Sequence, residues 1–141
     1  MIASSLTARP ASALAIVLVP VLAILGAAAL GGCDTKLPPQ VIEVGPADYP
    51  PSAGTTDDDS WQSVGWLGDP WLRYSGQATL ILEHELGREP STVLVYLSFE
   101  EDGSGAALTA GDTARIVSVD DSFVTIRNDT NADFFLRLVI R

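Results

Sequence analysis

The sequence predicts an all-β protein, a small antiparallel six-stranded β-sandwich that follows an apolar leader and an extended tether. Three observations predict it. From Trp61 onward, apolar residues recur at every second position in short runs rich in Val, Ile, Leu and Phe, the pattern of strands that bury one face. Clusters of Gly, Asp, Asn and Pro separate those runs at hairpin-length intervals. No stretch after Gly32 repeats its apolar residues at helical spacing.

The first run, Trp61 to Leu67, is aromatic and broken by Gly65. Gln77 to Leu86 alternates, with Ala78, Leu80, Leu82, His84 and Leu86 on one face. Thr92 to Phe99 is apolar on both faces, as a central strand should be. Thr113 to Val119 and Phe123 to Arg127 form a pair around the tight turn Asp120-Asp121-Ser122. The last run places Phe134, Leu136, Leu138 and Ile140 on one face, against Phe135, Arg137, Val139 and Arg141. Gly87 to Pro90, Glu101 to Asp112 and Asn128 to Ala132 are the remaining connections. Six short strands so joined argue for a sandwich over residues 61–141.

Residues 33–60 read differently. Pro38, Pro39, Pro46, Pro50 and Pro51 lie there with the run Asp57-Asp58-Asp59, which predicts an extended, disordered tether. At about 3.1 Å per residue it reaches on the order of 80 Å. Val41 to Val44 has the composition of an edge strand within it. Adjacent aspartates point in different directions and lack calcium-loop spacing, so no metal ligand set is expected. No cofactor motif is found.

The chain opens with Arg9 as its one basic residue before an uncharged run, Ala11 to Leu30. That run is followed by Leu30-Gly31-Gly32-Cys33, which holds the sole cysteine. A basic start, an apolar core and small residues at a cleavage point mark a secretory signal. The four residues resemble the lipobox of bacterial lipoproteins. The resemblance implies that residues 1–32 are removed and that Cys33 carries lipid. The protein would then be anchored to a bacterial membrane in the cell envelope, facing the periplasm or the exterior. An uncleaved anchor helix is the alternative, because about twenty apolar residues span a bilayer. Pro20 interrupts such a helix. A single cysteine permits no internal disulfide.

The whole chain has a net charge of −10; with Arg9 gone, seven basic and eighteen acidic side chains leave −11. That excludes nucleic acid and direct docking on anionic lipid, both of which need Lys and Arg.

His84-Glu85-Leu86-Gly87-Arg88-Glu89-Pro90, followed by Val93-Leu94-Val95, resembles an element of phage tail-fibre β domains. The strand order and the ending Phe134 to Ile140 are similar to H-type lectin domains, which are six-stranded antiparallel sandwiches that trimerise and bind sugars. The resemblance spans residues 84–141 and implies a lectin-like module, with glycan binding and homo-oligomerisation as expectations. No sugar-binding set carries over residue by residue.

Candidate ligand contacts come from the aromatic residues. Trp61, Trp66 and Trp71 recur every five residues with Tyr74 behind. Five-residue spacing alternates faces on a strand, so some of the set faces outward. Gly65, Gly68 and Pro70 place the later members in a loop. Trp66, Trp71 and Tyr74 are therefore the candidate ligand-binding residues, although aromatic side chains also fill small β cores. His84 is the sole histidine. With no second histidine or free thiol to complete a triad or zinc site, a ring bonded to the main chain near the Gly87 turn is the expectation. Glu100-Glu101-Asp102 and Asp120-Asp121 read as solvated turns. The sequence thus points to a non-enzymatic binding or structural module that takes a glycan or an envelope protein. A small hydrolase using His84 and a carboxylate is the alternative.

Overall fold

A computed structural model of the chain describes residues 38–141. The expected signal segment with Leu30, Gly31 and Gly32, and the expected lipid attachment point Cys33, lie outside the described residues. No helix among the described residues is long and apolar enough to cross a membrane.

The described residues form ten strands. These are β1 (Gln40–Val44), β2 (Gly54–Thr55), β3 (Trp61–Gln62), β4 (Leu72–Tyr74), β5 (Ala78–Glu83), β6 (Val93–Ser98), β7 (Ala107–Thr109), β8 (Arg115–Val119), β9 (Phe123–Arg127) and β10 (Phe134–Ile140). One sheet has the order β1-β5-β9-β8; the other has β2-β3-β10-β6-β7, with β4 also paired to β10. The fold is all-β, as the alternation requires. The count exceeds six by β1, which lies before residue 61, and by β2, β4 and β7, which have only two or three residues each, too few for alternation to register.

Alternate positions of both sheets meet in one core. Leu80 and Leu82 of β5 stand beside Ile126 and Val124 of β9. Leu136 and Leu138 of β10 stand beside Leu97 and Val95 of β6. Trp61, Tyr74 and Ile140 complete the buried cluster. Each fully buried side chain of this size contributes roughly 1.5–3 kcal/mol. β6 lies between β10 and β7, a central strand as its two apolar faces demand. Phe99 departs from that pattern. The strand ends at Ser98, whose hydroxyl accepts the Glu100 amide at 2.9 Å, and Phe99 turns outward.

Residues 38–60 depart from the tether reading. β1 pairs in parallel with β5, from Gln40 opposite Ala78 to Val44 opposite Leu82. It is the one parallel pair among the described strands. Val44 enters the core, and the Tyr49 hydroxyl donates to the Glu83 carbonyl at 2.7 Å. Pro46 opens a 3-10 turn instead of an extended segment. The Asp58 carboxylate closes the β2–β3 turn by accepting from the Thr56 and Ser60 hydroxyls, which hold its pKa down at about 2.

The second sheet contains the arrangement that builds the site. β3 and β4 pair with the same side of β10, β3 at Val139 and Ile140, β4 at Phe134 to Leu136. They are one interrupted strand, and the nine residues 63–71 between them leave the sheet as a loop.

Candidate functional site

The gap between β3 and β4 falls opposite Arg137 and Leu138, and side chains close it. The Ser63 hydroxyl accepts the Leu138 amide at 2.9 Å, while the Ser63 amide donates to the Leu138 carbonyl at 3.0 Å. Because Leu136 and Leu138 point into the core, Arg137 projects from the outer face of the sheet. Its Nε donates to the Val64 carbonyl at 2.9 Å and its Nη2 to Gln62 Oε1 at 2.8 Å.

Arg137 is only 4% exposed and forms no ion pair among the described residues. Burial lowers its pKa, against a smaller upward pull from Tyr96. Aromatic faces take the place of a counter-ion. The guanidinium carbon lies 4.1 Å from the Trp66 ring centroid and 5.6 Å from that of Tyr96. Such contacts are worth about 0.5–2 kcal/mol each, most where water is excluded. Trp66 meets Tyr96 edge-on at 4.9 Å and Trp71 at 5.7 Å.

Ser52 fastens the loop from below. Its hydroxyl accepts the Gly65 amide at 2.8 Å, its carbonyl accepts from Gln62 Nε2 at 3.0 Å, and its amide donates to Asp69 at 3.0 Å. Gly65 lies so close that an added Cβ would meet the Ser52 Cβ at 3.1 Å. The loop is thus fastened at Gly65 and Asp69, and the Trp66 ring rests on Arg137, while the residue stays 50% exposed.

The three aromatic candidates separate in the structure. Trp66 stands at the surface. Trp71 is 3% exposed and lies beneath Gly103 of the β6–β7 connection, tied there by its amide to the Glu101 carbonyl at 2.8 Å, so it is corrected from a ligand contact to a support beneath the loop. Its indole Nε1 has no hydrogen-bond partner, a deficit of roughly 1–3 kcal/mol for a buried donor. Tyr74 is completely buried in the core, so it is corrected from a ligand contact to a packing residue. Residue 71 begins the return to the sheet and residue 74 is already within β4, where the inward position belongs to the core.

Between loop 66–70 and loop 100–104 runs a cleft of about 1020 Å³. Trp66, Leu67 and Pro70 supply apolar surface; Asp69, Glu100, Glu101 and Asp102 supply carboxylates. The Ser104 hydroxyl and amide hold the Asp102 carboxyl below the usual range. Glu100, Glu101 and Asp102 form an exposed turn, as expected, but their position opposite Trp66 and Asp69 was not legible in the sequence. The sequence reading also missed Arg137, Tyr96 and Ser52. The available signal was Arg137 itself, an arginine between Phe135 and Val139 on the outward side of a strand, which needs a cover.

His84 is 4% exposed. Its Nε2 faces the Asp120 carbonyl at 3.2 Å and its Nδ1 accepts the Leu86 amide at 3.4 Å. Nδ1 sits against the main chain beside the Gly87 turn and Nε2 against that of the β8–β9 turn, and burial lowers the ring's pKa. No group of three His, Cys, Asp or Glu side chains among the described residues is placed to hold a metal ion. Asn128, in the sequence Asn-Asp-Thr, is fully buried, its amide donating to the Ser75 and Ala132 carbonyls.

Compared with protein-family models, with curated proteins and with solved structures, the chain matches none.

Proposed function

We propose that this protein is a lipid-anchored, non-enzymatic binding module of the bacterial cell envelope. It is held through Cys33 and presents a ligand site outside the cytoplasm, and that site is the Trp66 cleft. The observation that carries the proposal is the state of Trp66. A tryptophan half open to water is normally mobile, whereas this one is clamped over Arg137 and against Tyr96. A rigid aromatic face loses little entropy when a ligand covers it. A sugar ring or a protein side chain both suit such a surface.

The position of β1 bears on the anchor. Six residues separate Cys33 from Gln40, where sheet pairing begins. Fully extended, they and the flanking bonds reach about 25 Å. A domain anchored at Cys33 therefore works next to the membrane. The chain enters on the first sheet, and Trp66 lies over Arg137 on the outer face of the second.

Screening the protein against glycans, including cell-wall fragments, and against isolated envelope proteins tests this function. Specific binding that weakens at least about tenfold in Trp66→Ala, with the fold retained, supports it. Binding indifferent to Trp66, or catalytic turnover abolished by His84→Ala in a folded protein, contradicts it.

A further inference from the structure

The charge of the cleft separates one ligand class from the others. Four carboxylates line it and none of its lining residues is basic. Glu100 and Glu101 form no ion pair and no side-chain hydrogen bond among the described residues, whereas Asp69 and Asp102 each spend an oxygen on a loop amide. The nearest arginines are engaged elsewhere: Arg137 is under Trp66, and Arg73 pairs with Asp133 at 3.6 Å. The net charge of −10 adds a long-range field of the same sign. An anionic polymer is repelled here. A neutral sugar can cover Trp66 and donate hydroxyls to the carboxylates, yet it brings no positive charge to offset theirs, whereas a cation makes the stronger charge-assisted hydrogen bonds.

The apolar side of the cleft matters equally. Trp66 and Leu67, the latter 89% exposed, face the acidic loop across the opening. Lys and Arg have the matching shape, an apolar stem with a charged head. We infer that the cleft takes a basic polypeptide segment of an envelope protein. A lysine or arginine stem lies along Trp66 and Leu67, with its head group among Glu100, Glu101 and Asp102. This inference rests on the Trp66 cleft being the binding site.

The test uses the full chain in a non-ionic detergent, titrated by calorimetry with tetra-lysine amide and with a neutral β-1,4-linked N-acetylglucosamine tetrasaccharide. The expected result is binding of the peptide only. It should weaken at least about tenfold in Glu100→Gln/Glu101→Gln/Asp102→Asn and in Trp66→Ala. It should stay within about twofold in Glu43→Gln/Glu85→Gln/Glu89→Gln, which removes as much charge outside the cleft. Leu67→Ser, at an exposed position, substitutes for Trp66→Ala if the latter unfolds. Equal loss in both triple variants reduces the effect to diffuse surface charge and overturns the inference. Trp66-dependent binding of the tetrasaccharide, unaffected by either triple variant, overturns the basic partner and leaves the cleft reading standing. If neither probe binds in a Trp66-dependent way, both fall.

Discussion

The guanidinium of Arg137 lies 4.1 Å beneath the ring of Trp66, and no carboxylate pairs with it among the described residues. A buried cation is thus held by two carbonyl-type acceptors and two aromatic faces, and in return it fixes the one ring that faces the cleft. Arg137→Ala should cost about 2–4 kcal/mol, because it leaves a void under Trp66 and strips two acceptors of their donor. Arg137→Met should cost less, since it fills the void, yet it should still free the Trp66 ring. Urea unfolding gives the first effect; tryptophan fluorescence anisotropy gives the second.

Gly103 and Gly105 both have positive φ, +76° and +68°, but only Gly103 touches another element. A Cβ at Gly103 would fall 2.7 Å from Trp71 Nε1, whereas at Gly105 nothing lies within 4 Å. Gly105→Ala should cost about 1 kcal/mol from backbone conformation alone. Gly103→Ala should cost about 2–4 kcal/mol, because the indole or the acidic loop must also move. Thermal unfolding of the two variants separates the terms, and Gly103→Ala alone should alter the Trp71 emission.

His84 gives the fold a pH dependence of known sign. Burial lowers its pKa from 6.5, opposed by the Asp120 carbonyl and the Asp120 and Asp121 charges. Below pH 6.5 the unfolded chain binds a proton that the folded chain refuses. Stability is therefore intact above that pH and declines as the pH falls toward the folded value. Asp58, Asp102 and Asp120 have lowered pKa values, and their contributions vanish only below about pH 4. The melting temperature should fall between pH 7 and pH 5 in the native chain and stay flatter in His84→Gln. Equal slopes would show that the ring does not carry this dependence.

β1 supplies a fourth expectation. Val44→Ala should destabilise by about 1–3 kcal/mol, because Val44 packs in the core. Val41→Ser, at an exposed position of the same strand, should be nearly silent. Denaturant titration of both distinguishes a strand of the sandwich from a tether, for which neither change would matter.

These cases mark how far the sequence was legible. Alternation exposed β5, β6, β9 and β10 because each has five or more residues with a buried face. Composition marked Val41 to Val44 as an edge strand, which β1 is, but alternation did not expose its parallel partner, which begins at Ala78, far along the chain and joined by no turn motif. Pro46 opens the 3-10 turn, and Pro50 and Pro51 follow it in the connection from β1 to β2, so their density reflected connections and not disorder. The expectation for His84 matched its main-chain contacts, since missing partners are visible in a sequence. Tyr74 was misassigned because proximity to Trp71 in sequence says nothing of a strand starting at Leu72. Trp66 was identified, but its hold on Arg137 joins residues far apart in the chain and emerges only when β3 and β4 share β10. The acidic loop faced Trp66 for the same reason.

The central claim is that Trp66 forms the binding site, and the chain offers a direct readout because it has three tryptophans. In nitrogen-15-labelled protein, each indole N–H gives its own signal. Titration with tetra-lysine amide should shift the Trp66 signal and, through Gly103, that of Trp71, while buried Trp61 stays in place. A Trp66 signal unmoved at saturating peptide, or equal shifts of all three, would contradict the account.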